Sequence, residues 1–320
     1  MNSELAMDGG FFTLADGRLR PVWRFVIAAV LVVLANLAGG LLGFGVAFGH
    51  PLIADMLYRL FSTVLLFVGF AFMLRHFDHA QGSPLANMGL PLGRRAGKDF
   101  VIGAALGFGM IALAVLAIAA FGDLEFRTVL NASTLRRGMA VIVLLLAGAL
   151  LEELMFRGYP FQRLVESTGA TGAILVFSVL FGAAHLGNPN AGGILSWGMF
   201  NTIAVGVLFA IAYLRFGSLW LPWGLHFAWN FSLGVLFGLP VSGLRDFSFI
   251  VRTQASGPKL LTGGGYGIEA SLTGAVVILI GLGVIMAMPQ RAPAQLAEPA
   301  AAPLVAEAGE FSSDTWRPGI

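Results

Sequence analysis

Apolar stretches separated by short polar connectors fill the chain from about residue 23 to residue 288. A bilayer hydrocarbon core of about 30 Å is crossed by roughly 20 helical residues at 1.5 Å each. By that measure the pattern predicts about eight transmembrane helices, over 23–47, 52–74, 100–121, 138–157, 172–187, 194–215, 218–237 and 271–288. The fold expected is therefore all-α, a polytopic membrane helix bundle over 23–288, preceded by a segment 1–22. The first apolar stretch follows Arg18, Arg20 and Arg24, is too long for a signal-peptide core and lacks a clear cleavage site, so it is read as a retained helix.

Two segments break the pattern. Residues 289–320 are rich in Pro and Ala without a sustained apolar period, which predicts a disordered tail. The connection 238–270, with "FSFIV" and "TGGGYGIE", is longer than a plain connector and reads as a lid or cap or as a disordered loop. No internal repeat of the inverted-repeat transporter kind is visible.

Composition agrees with the membrane reading: 57% of residues are hydrophobic and 11% charged, against about a quarter charged in soluble domains. The formal net charge of +2 says little about partners, and no basic, aromatic-interleaved segment points to nucleic acid. The absence of cysteine removes disulfides, thiol nucleophiles and Cys-ligated metals. With the N-terminus inside, 12 Lys and Arg residues fall on the cytoplasmic side and 6 opposite, with Arg59 left within the second helix. That bias favours cytoplasmic N- and C-termini in a multi-pass protein, of the plasma membrane if the source is bacterial.

Against this background, "LLEELMFRGYPF" (150–161) stands out, because each charge at the bilayer centre costs about 2.5–3.5 kcal/mol on insertion scales. Glu153 and Arg157 are four apart and can pair, while Glu152 points about 100° away from Glu153. One carboxylate is neutralised locally and the other is left over, unless the whole group is a helix end whose charges snorkel to the interface. In "FSVLFGAAHL", Phe181 and His185 share a face; in "WGLHFAWNF", His226 and Asn230 do. Taken singly, a histidine among apolar residues is a hydrogen-bonded packing residue. A His/Asn pair at mid-helix should face the bundle interior, since lipid offers it no partner. Reckoned along the helices, Glu152, His226 and Asn230 come to similar depths, whereas His185 lies about 20 Å in and does not match them.

The other polar residues read as structure. His50, His76 and His79 fall in connectors, and "RHFDH" (75–79) is set aside as a metal site. Asp55 and Arg59 are expected to form a structural ion pair near the outer interface. Trp220, Trp223 and Trp229 are expected to anchor and pack.

A free carboxylate, two imidazoles and a carboxamide converging in a low-dielectric cavity suit hydrolysis. The carboxylate can take a proton from water, and donors can hold the oxyanion of a tetrahedral intermediate. The same Glu152, His185 and His226 could instead hold Zn²⁺ with water in the fourth position, although no HExxH helix is present. Asn230 argues for hydrogen bonding by its helix-mate His226, because a carboxamide is a poor zinc ligand and a good oxyanion donor.

In these residues the chain resembles the CPBP family of CAAX proteases and bacteriocin-processing enzymes (Abi), which includes the CAAX prenyl protease type 2. The family's three motifs occur in order: EExxxR as Glu152, Glu153 and Arg157, FxxxH as Phe181 and His185, HxxxN as His226 and Asn230. The resemblance covers about residues 138–235. It implies an intramembrane endopeptidase of metallo- or glutamate type acting on a membrane-associated protein or peptide, of which a prenylated CAAX-type protein is one form. Glu152 and His185 would activate water, His226 and Asn230 would hold the oxyanion, and Glu153, Arg157 and Phe181 would support them. The competing classes are a non-catalytic scaffold or bacteriocin-immunity protein of the same fold and, lowest, an ion-coupled transporter.

Overall fold

The computed structural model describes residues 10–291. Most of the expected tail therefore lies outside the described residues. Its first residues still belong to the bundle: the Arg291 backbone N–H donates to the Arg215 carbonyl at 2.8 Å, and its guanidinium pairs with Asp99 and lies 4.5 Å over the Phe216 ring.

The chain is an all-α bundle with one small β ribbon. In order come α1 (Pro21–Val46), α2 (Pro51–His76), the short α3 (Pro84–Asn87) and α4 (Arg94–Phe121). They are followed by β1 (Asp123–Thr128), α5 (Ala132–Arg157), α6 (Tyr159–Ala184), α7 (Trp197–Phe216) and α8 (Trp220–Phe231). The chain closes with β2 (Val251–Ser256), the short α9 (Lys259–Thr262) and α10 (Leu272–Ala287). Five stretches of the described residues are long and apolar enough to cross a membrane: α1, α2, α4, α7 and the 53-residue run from Ala132 to Ala184, which holds both α5 and α6; the last two expected spans fall on α8 with its π turn and on α10.

Several of these helices are interrupted or short for local reasons. The expected fourth and fifth helices fall inside that single run, interrupted at Gly158 (ψ −144°) and at Gly169 (φ 77°), a conformation in which a Cβ would be strained. The fourth helix thus does not continue past Gly158 as a straight rod. The expected seventh helix is only α8 and a π turn, Ser232–Leu236, and α10 has 16 residues.

Small residues bring the helices close. On α4, a Cβ at Gly103 or Gly107 would overlap the carbonyl of Leu221 or Leu225 on α8, and one at Gly224 would overlap the carbonyl of Phe100 on α4. This is how a membrane bundle gains dispersion contacts without a hydrophobic drive between helices. The Arg24, Asp78, Arg163 and Glu166 side chains form a network at one end of the bundle. Arg163 reaches Asp78 at 3.1 Å and Glu166 at 2.9 Å, which ties α1 and the end of α2 to α6.

The connection 238–270 is ordered. β2 pairs antiparallel with β1, from Asp123 opposite Ser256 to Thr128 opposite Val251, so this connection is fastened to the one between α4 and α5. Val241, Phe247, Phe249, Tyr266 and Ile268 are buried, and the segment forms a wall of the central cavity.

Candidate active site

The cavity has a volume of about 360 Å³ and lies among α2, α5, α6, α7, α8 and the 238–270 connection. Glu152, Phe181, His185, His226 and Asn230 all line it. All three motifs, carried on helices distant in sequence, therefore meet in one place.

Glu153 and Arg157 close off the floor. Glu153 is 0% and Arg157 1% exposed, and Arg157 donates to Glu153 Oε1 at 3.3 Å and to the Gly206 carbonyl at 3.2 Å. The guanidinium also faces the Phe181 and Phe209 rings at 4.5 and 5.0 Å, an arrangement favoured by the ring quadrupole. Phe181 thus joins two motifs, since it cradles Arg157 while its carbonyl takes a hydrogen bond from His185.

The pairing expected from the i, i+4 spacing forms, but Glu153 does more. The His226 Nδ1 lies 2.9 Å from the same Glu153 Oε1, and a carboxylate oxygen accepts, so Nδ1 carries the hydrogen. His226 is 5% exposed and stacks on Phe209 at 4.9 Å. Its Nε2 points towards Glu152, with Oε2 at 3.7 Å, beyond hydrogen-bond range. The Glu152 side chain is 26% exposed, and Oε2 has no partner among the described residues. Glu153 is sealed and committed, while Glu152 reaches the cavity uncommitted.

His185 is not inside its helix but caps it, following Ala184 at the C-terminus of α6. Its Nδ1 lies 2.7 Å from the Phe181 carbonyl, which can only accept, so in the neutral ring Nε2 is left as a proton acceptor. The helix restarts after Gly169 and ends before His185, and Gly182 packs against Ile203 of α7. His185 enters the cavity from the end of α6, in the same lining as Glu152 and His226. Asn230 lies one turn beyond His226 and is half-buried.

Several cavity residues escaped the sequence reading. Arg59, read as half of a structural pair with Asp55, does make that pair at 3.2 Å and also lines the cavity, as do Tyr58, Asn188 and Asn201. Glu269 accepts from Trp229 Nε1 at 3.0 Å, from the Ser242 hydroxyl at 3.1 Å and from the Ser242 backbone N–H. Burial raises the Glu269 carboxyl above its ordinary range, opposed by those hydrogen bonds. Trp229 therefore belongs to the cavity wall, whereas Trp220 and Trp223 pack, donating to the Pro91 and Leu146 carbonyls.

Glu152, His185 and His226 do not close into a coordination sphere. Among the described residues no three His, Asp or Glu side chains converge enough to share a metal ion. The residues as placed do not fit the candidate zinc, and no step below passes through one.

An apolar helical bundle that encloses a polar cavity of this make-up is an integral membrane protein with its candidate site among the helices. Residues 134–232 match the family model of the type II CAAX prenyl endopeptidase Rce1-like proteins. The match spans all three motifs, so this core is similar to the CAAX proteases. No curated protein and no solved structure matches the chain.

Proposed function

We propose that the chain is an intramembrane endopeptidase that hydrolyses a peptide bond of a membrane-associated protein or peptide, of the prenylated CAAX type. The family supports a protease. The single observation carrying the residue roles is the split between two adjacent glutamates: Glu153 is buried and accepts from Arg157 and His226 through Oε1, whereas Glu152 lines the cavity with no hydrogen-bond partner among the described residues.

In this reading Glu152 takes a proton from water while His185 Nε2 accepts a hydrogen bond from the same water and orients it. The oxygen adds to the scissile carbonyl, and the resulting oxyanion is held by the Asn230 carboxamide and by His226 Nε2–H. That second role needs hydrogen on both His226 nitrogens, with Glu153 supplying the counter-charge. When the C–N bond breaks, the proton held by Glu152 goes to the leaving amine, which returns the carboxylate. Fixed donors in a low-dielectric site are worth more than the same donors in water.

Charge bias counted over the eight expected spans supports cytoplasmic termini. The deciding experiment is cleavage of a prenylated reporter protein by purified protein in proteoliposomes, with Glu152→Gln as control. Cleavage by the wild type and none by a folded Glu152→Gln is the expected result; equal cleavage by both sinks the assignment, and ion flux without cleavage moves the chain to the transporter class.

A further inference from the structure

We propose that Arg59 is a specificity-determining residue that binds a carboxylate of the peptide substrate, at a subsite one helical turn from Glu152. The inference rests on the protease reading. Arg59 lies on α2, outside the residues 134–232 matched by the family model.

The sequence builds room for it. Gly148 sits on α5 four residues before Glu152, hence on the same face, and a Cβ at Gly148 would overlap Arg59 Nη1. The guanidinium therefore lies against α5 about 6 Å along its axis from Glu152. An extended peptide advances about 3.3–3.6 Å per residue. A carboxylate held at Arg59 thus falls within a few residues of a carbonyl placed beside Glu152.

The group is also chemically available. Its Nε donates to Asp55, whose side chain is 38% exposed, and among the described residues neither Nη1 nor Nη2 has a hydrogen-bond partner. Arg157 is committed to Glu153 and the Gly206 carbonyl. The remaining charged groups on the cavity wall are Glu152 and Glu269, which repel an anion. Apart from His226, which is held against the Glu153 carboxylate, a carboxylate entering the cavity has one cation to meet, and the planar fork of a guanidinium matches it with two parallel hydrogen bonds. The cavity's size suits a few residues rather than a folded domain.

The test uses three quenched fluorescent farnesyl-cysteine peptides that differ only at the last residue: a free C-terminal carboxylate, a carboxamide, and a carboxamide on a terminal Asp. Full-length wild type, Arg59→Gln and Arg59→Lys are compared in proteoliposomes, and the readout is the ratio of kcat/KM for each carboxylate peptide over the plain carboxamide. We expect this ratio to fall about tenfold or more in Arg59→Gln, mostly through KM, and less in Arg59→Lys. A ratio that falls only for the free C-terminus assigns the subsite to a chain end, and one that falls for the terminal Asp assigns it to an acidic side chain. Ratios unchanged in both variants overturn the proposal, while loss of all activity in Arg59→Gln leaves Arg59→Lys to decide. Peptide Kd values for Glu152→Gln, with and without Arg59→Gln, give the same ratio without turnover. If the wild type cleaves none of the peptides, the protease reading fails, and this binding ratio still decides for or against the carboxylate subsite.

Discussion

His226 donates through Nδ1 to Glu153 at 2.9 Å, on the same carboxylate oxygen that receives Arg157. The second glutamate of the pair is thus the hub between the ion pair in the floor and the histidine in the cavity. Removing one partner of a buried pair leaves a bare charge and costs about 3–5 kcal/mol. Glu153→Ala and Arg157→Ala should each lower the thermal midpoint and folded yield, and the double variant should lose less than the sum. Additive losses in a double-mutant cycle would show that the two do not interact.

The cavity-facing residues should behave differently, because none of them holds the bundle together. Glu152→Gln and His185→Ala should each lower kcat by about 10²- to 10⁴-fold, and Asn230→Ala by about 10²- to 10³-fold, with normal folded yield. His226→Ala should abolish turnover. Single-turnover cleavage separates chemistry from product release, and a variant that turns over at the wild-type rate is removed from the mechanism.

A metal changes the meaning of the same residues. Cleavage should survive verified removal of metal from purified, active protein, measured by elemental analysis before and after chelation. One tightly bound Zn²⁺ per chain, whose removal stops cleavage and whose return restores it, would make Glu152, His185 and His226 ligands instead.

Glu269 accepts from Trp229 and twice from Ser242, and so clamps the 238–270 segment to the residue preceding Asn230. Glu269→Gln places an amide N–H against at least one of those donors, at a cost of about 1–3 kcal/mol. The expected outcome is a lower thermal midpoint together with faster hydrogen exchange in residues 238–270. An unchanged midpoint and unchanged exchange would mean that the clamp does not hold the segment.

The helical membrane class and the three motif helices were legible because charge, histidine and asparagine are conspicuous in apolar helices. The Glu153–Arg157 pair followed from a four-residue spacing, which is a local relationship. The Glu153–His226 contact did not, since it joins residues 73 apart. Arg59 carried a usable signal, a charge within an apolar helix, but its neighbour Asp55 seemed to satisfy it. Glu269 showed only as a lone acid in a glycine-rich connection ahead of α10. What the sequence did not reveal is where the helices bend: hydropathy measures whether a stretch tolerates lipid, not whether it stays straight. Gly158, Gly169 and the π turn after Phe231 bend or shorten apolar chain without making it polar.

The charge network at the end of the bundle sets the size of the smallest piece worth expressing. Arg163 and Glu166 lie within the stretch 134–232 that the family model matches, but their partners Arg24 and Asp78 do not. A fragment cut to the family's limits would carry Arg163 without its carboxylate from α2, and would lack the Arg59 side of the cavity and the Glu269 wall. The family model matches about a hundred residues, whereas the helices that surround them run from α1 to α10.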